Sequence, residues 1–180
     1  MAKFYDKITT RVQKFIEAQK LFFVATAPKN GRINLSPKGM DSFRIINKNT
    51  VAWLSVTGSG NETSAHLLGN NRITIMFCSF EGAPNILRLY GKAEEVLPTH
   101  DKWEEHLQLF PEFPGTRQIF IVTVESVQTS CGMSIPLYEY QGERNQLNDW
   151  AIEKGEEGIE QYWSDRNQTS IDGLDTLLKE

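Results

Sequence analysis

Cysteine and histidine are scarce, and neither clusters. The 180 residues hold two cysteines, Cys78 and Cys131, and three histidines, His66, His100 and His106. Their spacing matches no metal-ligand motif, so no metal site is expected. Two distant cysteines do not make a disulfide framework, and Cys78, inside an apolar stretch, is expected as a buried reduced thiol. Long apolar runs are missing too. The longest are of strand length, too short to cross a bilayer, and the N-terminus shows no signal-peptide pattern. Positive charge is not in excess: a net charge of −4 gives no general attraction to nucleic acid or to an anionic membrane. Internal repeats and low-complexity segments are absent. What remains is a chain of one-domain length whose apolar and charged fractions, 39% and 23%, suit a globular protein, expected in the cytoplasm.

The most informative stretch runs from Val51 to Phe80, VAWLSVTGSGNETSAHLLGNNRITIMFCSF. An apolar run (Val51 to Val56) and another (Ile73 to Phe77) read as strands. Between them, Thr57-Gly58-Ser59-Gly60-Asn61 reads as a turn, followed by a short helix that stops at Gly69-Asn70-Asn71. A strand, a small polar turn and a helix N-terminus leave backbone N–H groups unpaired. With the hydroxyls of Thr57, Ser59, Thr63 and Ser64 they form an anion cradle. Asn61 is the expected N-cap. The turn has neither the GxGxxG spacing nor a GK[ST] ending, and Glu62 at the first helical position suits the helix dipole but would repel a phosphate. The residues by themselves therefore leave two readings open, a phosphate seat and an ordinary capped helix.

Around this stretch the chain reads as strands with short helices inserted. Phe4, Ile8, Val12, Phe15, Ile16 and Gln19 fall at helical spacing, with Lys3, Lys7, Arg11 and Lys14 largely opposite, which predicts an amphipathic helix laid against the core. Leu21 to Ala27 is a strand, Pro28-Lys29-Asn30-Gly31 a tight turn, and Ile33 to Ser36 the returning strand. Lys38 stands at its end, either a solvated surface group or a cation for a bound anion. Ile86 to Leu97 is a long strand with a bulge expected at Gly91. Arg88 within it faces a wet side or is paired with an acid or a phosphate. Thr99 to Leu109 reads as a helix and Ile119 to Val127 as a last strand. Six strands without βαβ alternation predict a mainly β protein, an antiparallel barrel. Beyond Ser130 the composition shifts to Trp, Tyr and charge, with helix signals from Leu147 to Trp163. The aromatics Tyr138, Tyr140, Trp150, Tyr162 and Trp163 could stack on a planar ligand, but the better reading is that they anchor the tail to the barrel or to a second subunit.

The order FVATA, INLSPKG, VAWLSVTGSGNETSAHL, RITIMF, ILRLYGKAEEV, FIVTVESVQTSCG closely resembles the pyridoxamine 5′-phosphate oxidase-like family of FMN-binding split barrels. It is most similar to a branch with SCG…IPLYEYQGER and a helical tail ending in SIDGL. The resemblance spans about Phe4 to Leu174. It implies a six-stranded antiparallel split barrel with an N-terminal helix over residues 1–130, and a helical C-terminal extension, 131–180, packed on it. It implies a homodimer with FMN in the grooves between subunits. The phosphate would be held by Thr57, Ser59, Asn61, Glu62, Thr63 and Lys38, with Arg88 near the flavin and the backbone of Asn34, Leu35 and Ser36 along the isoalloxazine ring. The true oxidase carries a basic pair in the turn where Glu62 and Thr63 stand, which counts against pyridoxamine phosphate as substrate. The expected function is an FMN-dependent oxidoreductase acting on a small molecule. The alternatives are a non-catalytic or stress-related flavin binder, and a haem or deazaflavin binder on the same fold. In the haem case His66 would be the first candidate ligand. No catalytic residue stands out, since the flavin carries the chemistry.

Overall fold

Two long strands make the spine of the molecule. In the computed structural model, which describes residues 2–179, β7 (Asn85–Val96) and β8 (Thr116–Cys131) pair antiparallel along the whole length of β7. Their register slips between Tyr90 and Gly91, at the bulge expected there. The glycine is required because a Cβ at Gly91 would lie 2.1 Å from the Thr123 carbonyl oxygen. Around this pair stand β1 (Lys3–Tyr5), β2 (Phe22–Thr26), β3 (Asn34–Lys38), β4 (Phe43–Asn47), β5 (Thr50–Val56) and β6 (Arg72–Cys78). The sheet runs β3-β2-β6-β7-β8-β5-β4, all antiparallel, and β1 adds to β8. β3 and β4 do not pair with each other, so the barrel is split. Pro37, which has no N–H to give, sits in β3, where an edge strand tolerates it.

Among the described residues the strands number eight where six were expected. β4 escaped notice because its alternation is broken: the register shifts between Ile45 and Asn47, which turns Ile46 outward. β1 is only three residues long. It also corrects the N-terminal expectation, for the first helix, α1 (Thr10–Ala18), starts at Thr10 rather than near Phe4. The Thr9 hydroxyl accepts from the Val12 N–H at 3.3 Å and fixes that start. Phe4 lies exposed on β1, while Ile8, Val12 and Ile16 are buried. The Pro28–Gly31 turn is wider than its Asn-Gly pair suggests, since pairing stops at Thr26–Asn34. Asp172 of the tail reaches into this loop and forms an ion pair with Arg32. The helix expected over Thr99–Leu109 shortens to α3 (Trp103–Leu107).

The core fills the barrel with Trp53, Phe22, Phe77, Phe120 and β-branched side chains from β5 to β8. Trp53 stacks on Phe120 with centroids 4.6 Å apart. α2 (Glu62–Gly69) follows the Thr57–Asn61 turn and closes one mouth. The tail helix α4 (Gln146–Arg166) is broken at Gly155, whose φ of 67° and ψ of 173° are not helical. Cys78 is buried and Cys131 exposed, and both are free thiols. Among the described residues no helix is long and apolar enough to cross a membrane, and no cluster of His, Cys, Asp and Glu could hold a metal.

Candidate functional site

The turn after β5 opens onto a cavity of about 250 Å³, bounded by the ends of β3 and β5, the start of α2 and the start of β8. Asn34, Ser36, Lys38, Ser59, Asn61, Glu62 and Thr63 all line it. Strand alternation brings Asn34, Ser36 and Lys38 to one side of β3, while Leu35 points the other way and is exposed. The Asn34 amide donates to the Ser36 hydroxyl at 3.1 Å.

Thr57, Leu35 and Arg88 do not line the cavity. The Thr57 hydroxyl donates to the Gly115 carbonyl at 2.8 Å and accepts from the Trp163 indole N–H at 2.7 Å, which spends its one proton and leaves none to donate to an anion. Its role is to pin the turn. Arg88 lies farther along β7 and donates to the Ser130 hydroxyl at 3.3 Å.

Asn61 does not cap α2. Instead its amide pairs with that of Gln118: Gln118 Nε2 donates to Asn61 Oδ1 at 2.6 Å, and Asn61 Nδ2 to Gln118 Oε1 at 3.3 Å. The first-turn N–H groups of α2 therefore have no side-chain cap at the cavity wall. Glu62 is turned toward the tail, where Oε1 accepts from the Ile171 N–H at 2.9 Å.

The cavity's second cation is Arg117, which the sequence reading missed. Opposite β5, Ser55 pairs with Gln118 and Val56 with Thr116, so Arg117 is the extra residue of a bulge. Simple alternation would send Arg117 and Gln118 to opposite faces, but the bulge brings both to the cavity. Arg117 is 3% exposed. One guanidinium nitrogen, Nη1, donates to the Asn167 Oδ1 at 2.6 Å and to the Gly60 carbonyl at 3.2 Å, while Nε is buried without a partner. No carboxylate lies within 4.0 Å of Arg117 or Lys38 among the described residues. Burial, and then Arg117, lower Lys38 from the usual lysine value to about 8. Burial lowers Arg117 to about 10, opposed by Glu95 and Tyr162. Lys38 Nζ also stands 5.0 Å from the Trp53 ring centroid. Two cations without a salt bridge, a guanidinium Nε without a partner and an uncapped helix N-terminus make a donor-rich set, with the Glu62 carboxylate drawn to the Ile171 N–H. A phosphate dianion fits it.

The histidines lie elsewhere. His66 is buried with Nδ1 3.0 Å from the Thr26 hydroxyl, and His100 Nδ1 accepts from the Leu97 N–H at 3.3 Å. Two tail aromatics anchor the tail to the barrel, Trp163 by its bond to Thr57 and Tyr138 by packing on Phe80, while Trp150 and Tyr162 meet edge-on within α4.

Comparison with known proteins shows the family and the fold. The family model described as Pyridoxamine 5′-phosphate oxidase matches residues 8–131. The pyridoxamine 5′-phosphate oxidase family protein ustO of Aspergillus flavus is 32% identical over 98% of this chain and 78% of its own length. Among solved structures, HupZ of Group A Streptococcus superimposes with a TM-score of 0.51 at 24% identity, over 67% of this chain and 91% of that one. A FAD-binding protein of Mesorhizobium loti gives 0.51 at 13% identity, over 72% and 99%. At these identities the structural likeness shows the fold.

Proposed function

Because the chain belongs to the pyridoxamine 5′-phosphate oxidase family, we propose that its cavity seats the phosphate of FMN and that the protein is a flavin-dependent oxidoreductase acting on a small molecule. The observation that carries this reading is the convergence of Lys38, Arg117 and the uncapped start of α2 on one cavity, with no carboxylate paired to either cation. Bound FMN would supply the hydride transfer. The chain's own part is binding and orientation. Lys38 and Arg117 neutralise the phosphate, and the Asn61–Gln118 amide pair keeps the turn open by holding Asn61 off the helix N-terminus. Asn34 and Ser36 present polar groups along the edge where the ring would lie.

The functional unit in this proposal is a homodimer. Leu35 on the outer side of edge strand β3 and Ile33 just before that strand are exposed, and a second subunit would cover them and complete the groove. Haem is the weaker reading, since no histidine lines the cavity and His66 is engaged with Thr26. Pyridoxamine phosphate is not the proposed substrate, because Glu62 and Thr63 stand where the oxidase has a basic pair.

A visible spectrum of freshly purified protein, with acid release and identification of the chromophore, tests the proposal. Released FMN, or micromolar uptake of added FMN by a colourless preparation, is the expected outcome. A protein that carries haem, or that ignores FMN, overturns it.

A further inference from the structure

The back of the phosphate turn is built by the C-terminal tail. Gly115, at φ 67°, lets α4 approach the turn: a Cβ there would lie 3.2 Å from Ala151 Cβ and 3.3 Å from Thr57 Oγ1. Trp163 donates to Thr57, Ile171 to Glu62, and the Leu177 N–H to the Ser64 hydroxyl at 3.3 Å. Residues 168–176 fold into a tight loop, with Thr169 paired to Asp175 and the Thr176 N–H bonded to the Gln168 carbonyl. At the centre is Asn167, 0% exposed. Its Oδ1 accepts from Arg117 Nη1 at 2.6 Å and its Nδ2 donates to the Gly58 carbonyl at 3.1 Å. Its own carbonyl accepts from the Thr176 hydroxyl at 2.8 Å. One side chain thus ties the buried cation of β8 to the turn on β5, and the tail loop fixes that side chain.

We infer that Asn167 is a positioning residue for anion recognition, and that the tail is a same-subunit clamp holding Arg117 and the Thr57–Gly60 turn in phosphate-binding geometry. The inference rests on the phosphate-seat reading of the cavity. The chemistry of the contact explains why an amide suits the position. A neutral acceptor orients the guanidinium without cancelling its charge, and the amide N–H₂ bonds the Gly58 carbonyl while Arg117 bonds that of Gly60, so both hold the same turn. A carboxylate at the same place would form an ion pair with Arg117 and draw its charge away from the ligand. The clamp therefore acts on the phosphate end of a flavin and leaves the ring end alone.

FMN and riboflavin, which differ by the phosphate, separate these effects. Full-length protein is titrated with each, and the ratio of the two affinities is the readout. Asn167→Asp keeps the shape, and Asn167→Ser serves where the added charge prevents folding. The expected result is a loss of FMN preference by about tenfold or more, as for a charge-assisted hydrogen bond. Riboflavin affinity should stay within about twofold, since the ring end makes no contact with Asn167. In an Arg117→Gln background the Asn167 change should cost little more, because both act through one contact. A wild-type preference for FMN that survives in the Asn167 variants overturns the role of the tail and leaves the seat standing. Equal binding of FMN and riboflavin by the wild-type protein overturns the seat itself, and the clamp falls with it.

Discussion

Several cavities in this molecule combine charge with aromatic walls, and a comparison of two of them, the one beside α1 and the one at the turn after β5, separates a structural pocket from a site. The larger, about 400 Å³, lies between the end of α1, β4 and the tail. Its arginine is paired within the chain. Arg44 holds Asp41 with two bonds, at 2.7 and 2.9 Å, and caps the Leu109 carbonyl with its Nε. Tyr140 donates to Glu143 at 2.6 Å, and Lys20 stands over the Tyr140 ring. Consecutive left-handed residues, Met40 and Asp41, hold the turn that makes the Arg44 pairing. In the smaller cavity neither Lys38 nor Arg117 forms a salt bridge among the described residues: Glu62 is turned to the tail, and Glu95 acts on Arg117 without pairing with it. Burying unpaired charge costs free energy, so such an arrangement points to a ligand that completes it. Size alone would have chosen the wrong cavity.

The sharpest way to break this contrast is to remove the buried cation. Arg117→Met should weaken FMN binding by about 1.5–3 kcal/mol, as expected for a charge-assisted contact. It should also lower stability, since Asn167 and the Gly60 carbonyl lose their donor. An unchanged dissociation constant in a flavin titration would remove Arg117 from the seat. Lys38 provides a pH test of intermediate size. With its pKa lowered to about 8, Lys38 loses its proton above that pH in the free protein, and FMN binding then requires proton uptake. FMN affinity should therefore fall as pH rises through about 8, and Lys38→Met should flatten that fall while weakening binding at neutral pH. For the free protein the sign is opposite: a partly buried, desolvated lysine opposes folding while charged, so stability should rise as pH climbs from about 8 toward the ordinary lysine value. A titration that stays flat to pH 10 would show Lys38 to be solvated. The smallest effect belongs to the paired cavity. Arg44→Ala should leave FMN affinity unchanged and cost about 1 kcal/mol or less in a thermal melt, as a largely surface ion pair does. A large loss of FMN binding in that variant would erase the distinction between the two cavities.

Much of the architecture is written in local pattern. The apolar run Val51–Val56, the polar turn and the helix ending at Gly69 fold as their composition suggests, because strand alternation, turn residues and helix stops act over a few residues. The Gly91 bulge is legible for the same reason. β4 is not, because a shift at Ile46 breaks its period, and β1 is too short to carry one. Within the site, β3 periodicity alone places Asn34, Ser36 and Lys38 together. Thr57 carried the right chemistry for an anion contact, yet its hydroxyl is spent on Gly115 and Trp163. Asn61 had the right identity for a cap, yet it is held by Gln118, 57 residues away in sequence.

What the sequence determined by itself is six of the strands, the polar turn before α2 and the lysine at the end of β3, all consequences of short-range periodicity and turn chemistry. What tertiary structure alone decided is the second cation and its clamp. Arg117 reaches the cavity because a bulge re-aims it, and Asn167 reaches Gly58 across 109 residues because α4 packs at Gly115. Neither leaves a local signature, because a bulge erases the period that would announce it, and a contact between distant segments exists only once the chain has closed on itself.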